Sequence, residues 1–158
     1  MSQIDSAFVK LCREQFQFLV DAFGFRRTAA SRAGIGTVIY TNSTTGVKLS
    51  YDRRDGYIGV DLIRLVDGKV PAYGERRDSR PLWTAVRLRA PEIETKVFSI
   101  GVLTEAKIAA ELTAIAVAVR DYAADILRGD FSVFPELERV RAEDWQGGAA
   151  RGSTVDAG

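Results

Sequence analysis

The feature that most constrains the fold is a change of hydrophobic period at Gly24. Before it, Phe8, Cys12, Phe16, Leu19 and Phe23 recur at spacings of three and four, which puts them on one helix face. Leu11 and Phe18 widen that face. The spacing predicts a helix over 3–23, capped by Ser2 or Asp5. Gly24 ends it in the left-handed conformation, with Phe25 closing back onto the last turn. After Gly24 the apolar residues alternate. A first strand is expected near 25–30 and a second over 36–42, with Val38 and Tyr40 on one face and Thr37, Ile39 and Thr41 on the other. In a third strand, Val47, Leu49 and Tyr51 alternate with Lys48, Ser50 and Asp52. A fourth runs over 57–66. The links NSTTG, DRRDG and Asp67-Gly68 are turn chemistry, and short turns make neighbouring strands antiparallel.

The second half returns to helical spacing. PAYGERRDSR at 71–80 reads as an exposed loop, 81–90 as a short helix bracketed by Pro81 and Pro91, and 96–103 as a short extended segment. Thr104 then caps a long helix whose stripe is Ile108, Leu112, Ile115, Val119, Tyr122 and Ile126, surrounded by alanines. Arg128 suits the negative end of that helix, and Gly129 the residue after it. A last helix is expected over 134–145, entered through Pro135. The tail 146–158 has too little apolar content to join a core. One α+β domain over 1–145 follows: an antiparallel meander of three to four strands packed on an N-terminal helix and a long C-terminal helix. The 158 residues suit a single domain.

The side-chain inventory narrows the chemistry. There is no histidine, so Ser-His-Asp and Cys-His catalysis and the usual zinc sites are excluded. Any catalysis would fall to carboxylates, Lys, Tyr or a carboxylate-held divalent cation. The single cysteine, Cys12, cannot form an internal disulfide. It sits on an apolar stripe, where a thiol packs rather than reacts. A lone thiol, charges in the first fifteen residues and no run of ~20 apolar residues point to a reducing, cytoplasmic setting without a membrane. A net charge of +1 gives no global field for nucleic acid. The expectation is a non-catalytic protein with no cofactor and no metal. Its partner is another protein, for example a toxin, or a second copy in a homodimer.

KLSYDRRDGYIGVDLIRLVDG, residues 48–68, is where function is most densely written. Asp52 and Asp61 lie on strands joined by a tight turn and share a face, so they are a candidate carboxylate pair. The competing reading gives Asp52 and Asp55 to the turn and pairs Asp61 with Lys48 or Arg64 across the sheet. Tyr57, Gly59, Asp61 and Ile63 form a second, partly apolar face of the fourth strand, which asks for cover on both sides. The favoured contact surface is the outer face and tip of this hairpin. Arg53, Arg54 and Tyr57 are its anchors, and Asp52, Asp55 and Asp61 supply charge complementarity. The alternative is a small-molecule or nucleotide pocket between sheet and helices, with Arg26, Tyr40, Tyr51 and Arg64 as its lining. Arg76, Arg77 and Arg80 add basic charge, but Glu75 and Asp78 interleave with them. Gly34-Ile35-Gly36 lacks the rest of a phosphate loop.

Three segments, FLVDAFGF at 18–25, TTGVKLSYDRRDGYIGVDLIRLVDGKVP at 44–71 and RGDFSVFPELE at 128–138, resemble a family of small, uncharacterised bacterial cytoplasmic α+β proteins. In style and size the chain is also similar to immunity proteins of bacterial toxin systems. The first resemblance implies the fold and a cytoplasmic location, and the second implies a protein partner. Neither implies catalytic residues.

Overall fold

In the computed structural model the described residues are 3–32, 35–52, 56–71, 76–93 and 104–144. The N-terminal helical stretch divides at Phe16 into α1 (Gln3–Gln15) and α2 (Gln17–Phe23). Phe16 leaves helical geometry at φ −108° and ψ 15°. Its N–H still donates to Cys12 O at 2.9 Å, and its own carbonyl accepts from Leu19 at 3.0 Å. The apolar stripe passes through the break, since Cys12, Phe16 and Leu19 are all fully buried. That continuity is why the spacing alone predicts one helix. Gly24 is left-handed at φ 69°, and Phe25 donates back to Leu19 O at 3.1 Å, so the predicted helix stop is present.

The sheet has five antiparallel strands in sequential order: β1 (Arg26–Arg32), β2 (Ile35–Thr41), β3 (Thr45–Asp52), β4 (Tyr57–Arg64) and β5 (Ser79–Pro81). This corrects the expected three to four. β5 was hidden in the supposed loop 71–80, because three residues ending in proline carry no period. A 3-10 turn, Arg76–Asp78, leads into it. β4 is shorter than 57–66. Beyond it Val66 bridges to Lys69 across Asp67 and Gly68, both at positive φ (53° and 74°), as a type I′ turn requires.

Register fixes the two faces. Val38, Leu49 and Val60 form one cross-strand row, and Tyr40, Val47, Leu62 and Arg80 the next. This inner face packs under α1, α3 (Leu82–Arg89) and α4 (Glu105–Tyr122). Each fully buried large apolar side chain there contributes about 1.5–3 kcal/mol, so the inner row carries the fold. The Thr104 side chain caps α4, accepting from Lys107 N–H at 3.3 Å. The buried line of α4 is Ile108, Leu112, Ala116 and Val119, continuing through Ala123 to Ile126. Ile115 and Tyr122, expected on that line, are only partly buried. Alanine at 116 and 123 lets the helix lie close to its neighbours and turns the contact line by one position.

α4 stops at Ala123 and is followed by α5 (Ala124–Leu127). Gly129 takes φ 91°, and 134–144 form the last helix, α6. No described helix is long and apolar enough to cross a membrane. The expectations for residues 96–103, for the hairpin tip 53–55, for the final residue of the 134–145 helix and for the tail 146–158 lie outside the described residues.

Candidate partner-binding face

The outer face of the β3–β4 hairpin is built from three successive rungs: Asp52 opposite Tyr57, Ser50 opposite Gly59, and Lys48 opposite Asp61. All six residues are partly buried. β5 and α3 do not cover this face. β5 continues the sheet at its edge, and α3 sends Leu82, Ala85 and Val86 into the inner core. Further along β4, Ile63 is 5% exposed, so the face closes toward β5 and opens toward β1, where Arg26 and Thr28 are exposed.

The absence of a side chain at Gly59 shapes the centre. A Cβ built there would stand 2.9 Å from Tyr57 Cε1 and 3.3 Å from the Tyr57 hydroxyl. The ring of Tyr57 therefore leans along its own strand, over Gly59, and brings its hydroxyl toward Asp61. The electrostatics agree. Burial pushes the Tyr57 phenol above its ordinary value, and the Asp61 charge adds to that rise. Burial likewise raises the Asp61 carboxyl, against the opposing pull of Lys48 and then of Arg141. Arg141 comes from α6, and no local pattern in 48–68 foretells it.

The sequence-predicted residues separate cleanly. Asp52 and Asp61 do share a face, but a full rung lies between theirs, about 14 Å along the strand at ~3.4 Å per residue. They cannot grip one cation between them. Among the described residues no group of three or more Cys, Asp or Glu is placed to hold a metal ion. Asp61 faces Lys48, as one of the two cross-sheet readings has it. Arg64 lies on the inner-face side of β4, and its Nε donates to Asp78 Oδ1 at 2.9 Å, which leaves Asp61 to Lys48. Arg53, Arg54 and Asp55 lie outside the described residues, between Asp52 and Gly56.

The four residues of the alternative pocket are not brought together. Tyr40 and Tyr51 are each 1% exposed. Tyr40 donates to Cys12 O at 3.3 Å, and Tyr51 packs on Phe8 with ring centroids 5.4 Å apart. Arg26 sits exposed at the far side of the sheet from Arg64. Cys12 is fully buried, and desolvation lifts its thiol to about 12, so it is no nucleophile at neutral pH.

Arg80, expected in a solvated basic cluster, is buried at 7% exposure. It donates from Nε to Phe134 O at 3.0 Å, and from Nη1 to Arg77 O at 3.0 Å and Ser79 O at 2.8 Å. It is a structural tie between β5 and α6. Its sequence context, RRDSRP, looks like any exposed basic loop.

No protein-family model matches this chain, and neither a curated protein nor a solved structure matches it.

Proposed function

We propose that this chain is a non-catalytic, cytoplasmic protein-binding module that presents the outer face and tip of the β3–β4 hairpin to another protein, in the manner of an immunity protein that masks a bacterial toxin. The observation that carries this reading is the arrangement of Tyr57, Lys48 and Asp61. An amphipathic ring and an opposed charge pair are held half-buried on the sheet face opposite the helix-packed core. Such a surface offers an aromatic anchor and directional polar groups at low conformational cost. Arg53 and Arg54, which follow Asp52 in the sequence, add two positive charges to the proposed contact.

The test is a tagged pull-down from the native host's lysate, with mass spectrometry of what co-purifies and a sizing run in parallel. One stoichiometric partner, weakened about tenfold or more (~1.4 kcal/mol) by Tyr57→Ala and by Arg53→Glu with Arg54→Glu, supports the reading. A partner held equally well by those variants removes the hairpin from it. A homodimer with nothing else attached, disrupted by Tyr57→Ala, assigns the face to a second copy instead.

A further inference from the structure

We infer that the open edge of the sheet at β1 is a docking site for an extended acidic segment of a partner protein, which adds there as a sixth antiparallel or parallel strand. This goes beyond the hairpin reading: it concerns a different border of the sheet, and its test uses no natural partner.

Hydrogen-bond phase decides which backbone groups of β1 face outward. Asn42 N–H donates to Thr45 O at 3.0 Å, so the even-numbered residues of β2 exchange bonds with β3. Because the direction alternates residue by residue in an antiparallel ladder, the odd residues of β2 turn to β1. The register pairs Thr37 with Ala30, Ile39 with Thr28 and Thr41 with Arg26. The even residues of β1 are thereby satisfied by β2. The backbone N–H and C=O of Arg27, Ala29 and Ser31 point off the edge. Among the described residues β1 has a strand neighbour on one side only. An unpaired strand edge is a template for strand addition.

Charge selects the occupant. β1 reads RRTAASR, with three arginines and no acid. A second copy laid antiparallel over the full length would set position 26 against position 32 at both ends, arginine against arginine, which is destabilising. An acidic strand meets attraction at the same positions. Arg26 stands exposed on the outer face of this strand, while Arg27 pairs with the buried Tyr40 and lends its charge to the helix-packed side.

The experiment uses a fluorescein-labelled heptapeptide of alternating Glu and Val, with a matched Lys/Val peptide as control, followed by amide hydrogen exchange of the complex. The Glu/Val probe is expected to bind about tenfold or more tightly than the Lys/Val probe. Bound, it should slow exchange at Arg27, Ala29 and Ser31 and leave Thr28 and Ala30, already bonded to β2, unchanged. Ala29→Pro removes an outward N–H that β2 does not use. It should abolish probe binding while the melting curve keeps its shape. Equal binding of the two probes overturns the proposal, and so does a bound Glu/Val probe that leaves the odd-numbered amides fast. A concentration-dependent dimer that Ala29→Pro dissolves also overturns it, by giving the edge to a second copy. Tyr57→Ala, which tests the hairpin, leaves probe binding intact, so the two readings fail separately.

Discussion

The ring of Tyr57 occupies the space that a side chain at Gly59 would need: a Cβ there would lie 2.9 Å from Tyr57 Cε1. One missing methyl group thus sets the direction of the aromatic on the outer face, and with it the distance between a phenol and the Asp61 carboxylate. Sequence, local conformation and surface chemistry are linked here through two residues on one strand.

Gly59→Ala is expected to cost little stability, within about 1 kcal/mol. The colliding group is the far end of a side chain that can pivot, and glycine inside a strand is itself unfavourable by roughly 0.5–1 kcal/mol. The ring, however, must leave its place. The Tyr57 phenol, held above its ordinary value by burial and by Asp61, then moves back toward that value. A spectrophotometric titration, with Tyr57→Phe as the subtraction standard, reads this directly. An unchanged phenol titration in Gly59→Ala would show that the ring does not depend on the glycine.

Asp61 gives a prediction in pH. Burial raises its carboxyl above the ordinary aspartate value, so the folded state holds that proton more tightly than the unfolded chain does. The stability this confers is complete below the unfolded value and is lost as pH rises through the raised native value. At neutral pH the ionised carboxylate is a net cost that Lys48 and Arg141 offset only in part. Asp61→Asn should therefore unfold at higher urea than the parent at pH 7, and the gap should narrow as pH falls toward 4. A gap that widens on acidification would mean that the ion pair with Lys48, not desolvation, dominates.

The period change at Gly24, the stop itself, the antiparallel succession of β2, β3 and β4 and the cap at Thr104 were legible because each rests on neighbours in sequence. β5 was not. Ser79–Pro81 is too short for a period, and it joins the sheet only because Leu62 presents a free edge to Arg80. The break at Phe16 was silent because helix and break share one apolar stripe. At the candidate site, the opposition of Asp61 to either Lys48 or Arg64 followed from the hairpin turn. Arg141 could not, since it arrives from a helix eighty positions away. Tyr40 and Tyr51 looked like a ligand's companions because a buried tyrosine and a pocket tyrosine read the same until the helix above them is placed.

Asn42 ties three segments together. Its Nδ2 donates to Phe23 O at 3.3 Å and Leu127 O at 3.2 Å, while its Oδ1 accepts from Thr44 N–H at 3.0 Å and Thr45 N–H at 2.8 Å. The Asn42 amide nitrogen is thus engaged at both hydrogens. Asn42→Ala is expected to cost about 1–3 kcal/mol, the range for leaving such partly buried groups unpaired. Asn42→Asp should cost at least as much at pH 7, since it keeps the turn's acceptor but sets an oxygen against two carbonyls. Urea unfolding of both variants decides it. A near-neutral Asn42→Asp would mean that the links to Phe23 and Leu127 contribute nothing.

Arg80 is the buried cation on which the β5–α6 junction depends. Three carbonyls, from Arg77, Ser79 and Phe134, accept its N–H groups, and its Cζ lies 4.8 Å from the centre of the Phe134 ring. Glu138 is 3.6 Å from Nε but about half-exposed, so the pair's Coulomb term is screened and the carbonyl bonds decide the outcome. Arg80→Met keeps most of the volume and strands those carbonyls, which predicts a loss of about 2–3 kcal/mol. Arg80→Lys should recover only part of it. A single ammonium cannot serve acceptors on both the Nε and Nη1 sides of a planar fork. The order expected in urea midpoints is parent, then Lys, then Met. A Met variant within about 0.5 kcal/mol of the parent, the spread of ordinary surface substitutions, would mean that water replaces the guanidinium at those carbonyls and that the packing of Phe134, Leu137 and Val140 holds α6 without it.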